Sequence, residues 1–275
     1  MTRSMRRARM LQLAGAGAAA LMALSACSSS DDSSTTKSDT SGMSGSAAPK
    51  LSGTVTVFAA ASLKESFTAL GKQFEQEHPG TKVSFNFGGS DTLAASITGG
   101  APADVFAAAS PKTMKIVTDK SDADGTPATF VRNQLEIATL PGNPDKVSSL
   151  KDLTKSGIKV VLCDKTVPCG AAAQKALDAA KIKLTPVSYE QDVKSALTKV
   201  ELKEADAAVV YKTDVMAAGD KVEGVEFPES AKAINEYPIA LLKNAPNAQA
   251  ANAFIALVQS AEGQKVLTEA GFLKP

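Results

Sequence analysis

The chain has 275 residues, 44% of them hydrophobic, which is enough for one large domain or two lobes around a sizeable core. Its formal charge is +1, but Arg3, Arg6, Arg7 and Arg9 come without an acid, so the chain beyond residue 26 carries −3. A mildly acidic body with one further arginine, Arg132, and no basic run argues against nucleic acid as a partner.

The four arginines precede an apolar run from Met10 to Met22, the anatomy of a secretory signal peptide and too short to span a membrane. The run ends in Leu24-Ser25-Ala26-Cys27, which resembles the bacterial lipobox. Residues 1–26 therefore read as a lipoprotein signal peptide and Cys27 as the lipidated first residue of an extracytoplasmic protein. Residues 27–50 are Ser, Thr, Asp, Gly and Ala with scattered Lys, a composition that cannot bury enough surface to order itself. They read as a disordered tether from Cys27, holding the folded part roughly 25 Å off the outer face of the cell membrane.

Beyond the tether, strands alternate with helices. Thr54 to Phe58 reads as a buried strand, and Leu63, Phe67, Leu70 and Phe74 then share one helical face. Val83 to Phe87 is strand-like, Leu93 and Ile97 mark a short helix, and Asp104 to Ala107 is a further strand. Leu135 to Leu140, Lys159 to Cys163 and Ala207 to Tyr211 repeat the theme, with helical stretches at Ala171 to Ala180 and Val193 to Val200. Pro238 to Leu242 reads as a strand, and Ala248 to Ala270 as largely helix ended by Gly271. Strands separated by helices predict parallel α/β sheets, which bind ligands beyond the carboxyl ends of their strands.

Those strand-to-helix junctions carry small polar residues. Ser62 followed by Glu65 matches a capping box, so Ser62 either caps a helix or turns its hydroxyl to a bound anion. Gly88-Gly89-Ser90-Asp91 offers close backbone approach and a hydroxyl at a helix start, with Asp91 serving the site or only the helix dipole. Thr166 to Gly170 and Glu190 to Val193 precede two more helices, and Tyr211 ends a strand with a phenol. Cys163 and Cys169, six apart in an oxidising compartment with Cys27 taken by lipid, favour a disulfide over two buried thiols. The single histidine, His78, lies in a surface-turn sequence, Glu77-His78-Pro79-Gly80, away from Ser62 and Ser90. A Ser-His-Asp hydrolase and a His/Cys metal centre therefore both lack parts.

In order and spacing, Phe58-Ala-Ala-Ala-Ser62-Leu63, Ser90-Asp-Thr-Leu-Ala94, Gly100-Ala-Pro-Ala-Asp-Val-Phe106, Val167-Pro-Cys-Gly170, Asp192-Val193, Val210-Tyr211 and Glu236-Tyr-Pro238 resemble the periplasmic molybdate-binding proteins of ABC importers. The resemblance runs from about Gly53 to the C-terminus. It implies a two-lobed clamshell of the type II periplasmic-binding-protein fold, each lobe a mostly parallel sheet flanked by helices. Residues 51–132 plus 237–275 would form lobe 1 and residues 133–236 lobe 2, with the hinge near Arg132-Asn133 and Glu236-Tyr237. The implied ligand is molybdate or tungstate, held by the hydroxyls of Ser62 and Ser90, the backbone N–H groups of Cys169 and Val193, and the hydroxyl of Tyr211. No cofactor and no catalysis are implied. The partners would be an ABC permease with its cytoplasmic ATPase, the protein itself being a monomer that meets the membrane through its lipid alone. The family often has Ala at position 169 and can have Ser at position 89, so the loop shape and any extra donor there are particular to this chain. Alternatives are another oxyanion such as sulfate, and more distantly a secreted hydrolase.

Overall fold

The structure is a computed structural model and describes residues 50–275. The expected leader of residues 1–26, Cys27 and all but the last residue of the expected tether lie outside the described residues. In chain order the first elements are β1 (Gly53–Ala60), α1 (Lys64–Glu77), β2 (Thr81–Gly88), α2 (Ser90–Thr98), β3 (Val105–Ala107), α3 (Pro111–Asp119) and β4 (Ala123–Asn133). Next come β5 (Leu135–Thr139), β6 (Val160–Cys163), α4 (Pro168–Ala180), β7 (Ser188–Glu190), α5 (Val193–Glu201), β8 (Ala207–Tyr211), α6 (Lys212–Ala218) and β9 (Glu223–Val225). The chain closes with β10 (Asn235–Leu242), α7 (Ala248–Gln259) and α8 (Ala261–Glu269).

Two five-stranded sheets result, ordered β2-β1-β3-β10-β4 and β7-β6-β8-β5-β9. Strand alternation buries both faces of the first. Val55, Val57 and Ala59 pack with Phe67, Leu70 and Phe74 on one side, while Phe58 and Phe106 pack with Leu93 and Ile97 on the other. The face predicted for α1 is the buried one, with Leu63, Phe67, Leu70 and Phe74 all at 0% exposure. Phe254 of α7 meets Phe74 edge-on at 5.6 Å, which fastens the C-terminal helices to the first sheet.

In each sheet four strands run one way, as the mostly parallel reading expects, and one runs against them. β1 pairs in parallel with β2 and β3, and β6 with β7 and β8, whereas β10 and β5 run antiparallel to both their neighbours. The reason is the connection. A strand reached through a crossover helix returns parallel, but β4 passes directly into β5 through Gln134 alone, and β10 arrives from the second sheet without a helix of its own sheet before it. Asn133 and Asn235 are register partners at these two crossovers, so both belong to the first sheet. β4 was absent from the sequence reading because Gly125 and Pro127 interrupt its pattern; both are tolerated because β4 is an edge strand.

Candidate functional site

The carboxyl ends of β1, β2, β6 and β8 face one another across the two sheets and enclose a small cavity. Its lining includes Ser62, Gly89 and Ser90 from the first lobe, and Cys169, Val193 and Tyr211 from the second. All five expected contact residues thus line one space. About 20 Å³ is open to the centre of a water-sized sphere, which puts the walls roughly 3 Å from the middle. That is room for one tetrahedral oxyanion and too little for an amino acid or a sugar.

Local structure explains why each group is available. Ser62 does not cap α1 as the capping-box match suggests. A short 3-10 turn, Ala61–Leu63, intervenes, α1 begins at Lys64, and the N-terminal position Leu63 makes no side-chain cap. Freed from that task, the Ser62 hydroxyl lies 2.8 Å from the Tyr237 hydroxyl at the cavity edge. Ser90 opens α2, and its Oγ accepts the Ala109 N–H at 3.0 Å, leaving its own proton to donate. Cys169 is the second residue of α4 and Val193 the first of α5. The first helical acceptors are reached only by Ala171 N–H and Ala196 N–H, so the Cys169 and Val193 N–H groups have no intrahelical partner. Asp192 lines the cavity but its carboxylate is engaged with the Ser195 N–H and hydroxyl, both at 2.9 Å.

The loop before α4 is pinned by a disulfide between Cys163 and Cys169. Gly170 completes that turn, for a β-carbon there would stand 1.9 Å from the Asp164 carbonyl oxygen. Across the cleft, Gly89 approaches so closely that a β-carbon would lie 2.5 Å from the Gln191 carbonyl oxygen. Glycine at position 89 therefore gives up a hydroxyl and permits the lobes to meet.

Two buried phenols back the cavity. Tyr211 and Tyr237 meet edge-to-face at 6.1 Å. Burial raises the pKa of both hydroxyls, Tyr211 further by its neighbours Tyr237 and Asp214, so each is a proton donor at any ordinary pH. The oxygen of Tyr211 accepts from the Asn235 amide, and that of Tyr237 from the Asn133 amide at 3.3 Å. Neither asparagine, nor Tyr237 as a hydrogen-bonding group, was found from the sequence. Asn and Tyr at strand ends carry no periodic or spacing signal, and only the register of β4 against β10 brings them here.

The charged groups stand outside. Lys64, Lys194 and Lys199 line a neighbouring opening beside α5. Lys194 bridges the lobes, 2.9 Å from Glu65 of α1 and 3.2 Å from the fully buried Asp214 of α6. Burial pushes the Asp214 carboxyl up to about 6 despite Lys194. Burial also pulls the Lys194 ammonium down, but Asp214 and Glu65 outweigh it and hold it above its usual value. Arg132 faces away, toward a groove of about 930 Å³ that Lys112, Lys175 and Lys274 also line, and pairs with Glu236 at 3.7 Å. Among the described residues no cluster of His, Cys, Asp and Glu could hold a metal ion, and no helix is long and apolar enough to cross a membrane.

Comparison with known proteins agrees with this geometry. The family model for bacterial extracellular solute-binding proteins matches residues 55–273. The molybdate-binding protein ModA of Mycobacterium tuberculosis is 43% identical over 221 residues, covering 80% of this chain and 85% of the relative. ModA of Escherichia coli is 32% identical, covering 80% of this chain and 89% of its own length. The solved periplasmic molybdate-binding protein of Azotobacter vinelandii shares the fold at a TM-score of 0.70 and 20% identity, covering 80% of this chain and 99% of that one. A site of oriented neutral donors between two lobes and a match along nearly the whole described chain lead to one assignment: the chain belongs to the bacterial extracellular solute-binding proteins, in the family of the ModA molybdate-binding proteins.

Proposed function

We propose that this protein captures molybdate, or its near-isostere tungstate, outside the cytoplasm and delivers it to an ABC importer. The observation that carries the reading is the convergence of five donors, from both lobes, on a cavity sized for one tetrahedral oxyanion. Ser62, Ser90 and Tyr211 supply O–H groups; Cys169 and Val193 supply the N–H groups of two helix N-termini, whose dipoles also favour an anion. Hydrogen bonds to a charged group are worth roughly 1.5–3 kcal/mol each, so five support micromolar binding or better after the cost of association.

Selectivity follows from the same donors. A site that only donates has no partner for the proton of hydrogen phosphate. Sulfate carries the same charge as molybdate on shorter bonds, so in this cavity its oxygens fall short of some donors. Because donors come from both lobes, ligand favours the closed arrangement, and the closed, loaded form is what a permease with its cytoplasmic ATPase would recognise. On this reading the protein acts as a monomeric binding protein without a cofactor, as its solute-binding family supports. Because Asn133 and Asn235 pair within the first sheet, its lobes are taken as residues 51–133 with 235–275, and 134–234, rather than 51–132 with 237–275, and 133–236. A lipid on Cys27, with residues 27–50 as tether, would keep it at the outer face of the cell membrane.

Thermal melts of the purified full-length protein with molybdate, tungstate, sulfate and phosphate test this. Ligand at about a hundredfold over its dissociation constant stabilises by roughly 2.7 kcal/mol, about 5 °C or slightly less for a chain of this size. Shifts with molybdate and tungstate but not sulfate are expected; a shift with sulfate alone would transfer the site to another oxyanion.

A further inference from the structure

We propose that Asn133 and Asn235, the register-paired asparagines at the two crossovers between the lobes, are positioning residues that hold the hydroxyls of Ser62 and Tyr211 as donors. The inference rests on the reading of the cavity as a molybdate site and adds the source of its selectivity against protonated oxyanions.

The orientation of each amide is fixed by its surroundings. Asn235 is buried, and its Nδ2 lies 3.0 Å from the Ala109 carbonyl oxygen and 3.5 Å from that of Pro168. Carbonyl oxygens can only accept, so the amino end must face them, and the same amino group donates to the Tyr211 hydroxyl oxygen. Asn133 is fully buried, and its Oδ1 accepts the Gln134 N–H at 2.9 Å. Its amino end therefore faces Thr213 Oγ1 at 2.9 Å and the Tyr237 oxygen at 3.3 Å.

With an asparagine amide donating to its oxygen, each phenol keeps its own proton free to donate elsewhere. Tyr211 donates into the cavity. The Ser62 and Tyr237 hydroxyls lie 2.8 Å apart, a pair in which either can donate; donation from Asn133 to the Tyr237 oxygen favours Tyr237 as the donor, which leaves the Ser62 proton for the ligand. Ser90 reaches the same state through the Ala109 N–H. Each amide also touches both lobes: Asn133 through Tyr237 and Thr213, Asn235 through Ala109 and Tyr211. At Ser62 and Tyr211, donor polarity and lobe closure are thus set by the same two side chains, while Ser90 is held by the Ala109 backbone. Without Asn235, the carbonyls of Ala109 and Pro168 lose their donor and the Tyr211 O–H can turn to them. Its oxygen would then face the ligand as an acceptor, which suits hydrogen phosphate.

Double-mutant cycles read by titration calorimetry decide the matter. Asn235→Ala and Tyr211→Phe are each expected to weaken molybdate binding about tenfold, and the double variant about tenfold rather than a hundredfold, because Asn235 acts through the Tyr211 hydroxyl. Asn235→Ala alone should also narrow the preference for molybdate over hydrogen phosphate. A second cycle, Asn133→Ala with Ser62→Ala, asks the same question at the other crossover and stands if the first variant does not fold. Additive losses in a folded cycle, or an unchanged molybdate-to-phosphate ratio in Asn235→Ala, would overturn the positioning role while leaving the molybdate site intact. Wild-type protein that binds neither molybdate nor tungstate would sink both.

Discussion

Two of the openings between the lobes differ in kind. The groove beside Arg132 is large, near 930 Å³, and lined by four cations; the cavity under Ser62, Ser90 and Tyr211 is tiny and has no cationic side chain in its lining. Formal charge would send an anion to the first. Yet exposed cations in water interact weakly and are screened, whereas oriented N–H and O–H groups in a dry cavity act at full strength and need no reorganisation. On the proposed reading the anion site is built from direction rather than charge, with Lys64, Lys194 and Lys199 lining a neighbouring opening.

The comparison is broken most severely by preventing closure. Gly89→Ala places a β-carbon against the Gln191 carbonyl across the cleft, and overpacking of that order costs about 1–3 kcal/mol, a roughly 5- to 150-fold loss of molybdate affinity by titration. Near-wild-type affinity in this variant would show that full closure is not needed. Replacing Cys163 and Cys169 together by Ser opens the short loop that presents the Cys169 N–H. A loss of roughly 2 kcal/mol of stability is expected in urea melts, and an unchanged midpoint would remove the bridge from the fold's support.

These effects also show what was legible in the sequence. The strands and helices around the first core were, because Val55, Val57 and Phe58, then Leu63, Phe67, Leu70 and Phe74, repeat at strand and helix periods. Ser62 and Ser90 stood out as small polar side chains at strand ends, whereas Cys169, Val193 and Tyr211 as contacts came from the family resemblance. The one reversed strand in each sheet, β10 and β5, was not legible, since direction depends on how the chain crosses between the sheets. Nor was the role of Ser62, whose capping-box spacing is real but is overridden by the 3-10 turn at Ala61–Leu63. Gly89 reads from sequence as a missing hydroxyl; only the approach of Gln191 reveals it as a steric requirement.

Smaller effects sharpen the contrast. Asp214 sits behind Tyr211, accepting its N–H at 3.2 Å, with a carboxyl raised to about 6 by burial. Between the ordinary carboxylate range and that value, the folded protein holds a proton that the unfolded chain has released. The stability from this group is therefore present on the acid side and lost as pH rises through the window. Asp214→Asn removes that dependence, so the stability difference between the two proteins should move in the variant's favour from acid to neutral pH; a constant difference would mean Asp214 is not raised. Smallest of all, Arg132→Ala in the basic groove should change molybdate affinity less than about twofold, as expected for an exposed charge outside the site. A large loss there would return the anion to the groove.

The most direct test is a crystal structure of the protein grown with tungstate, using the anomalous signal of the metal to locate the anion. One peak is expected at the centre of the small cavity, with its oxygens in hydrogen-bond reach of the Ser62, Ser90 and Tyr211 hydroxyls and the Cys169 and Val193 N–H groups. A principal peak among Lys112, Arg132, Lys175 and Lys274 instead would contradict the claim that oriented neutral donors, and not cations, make this site.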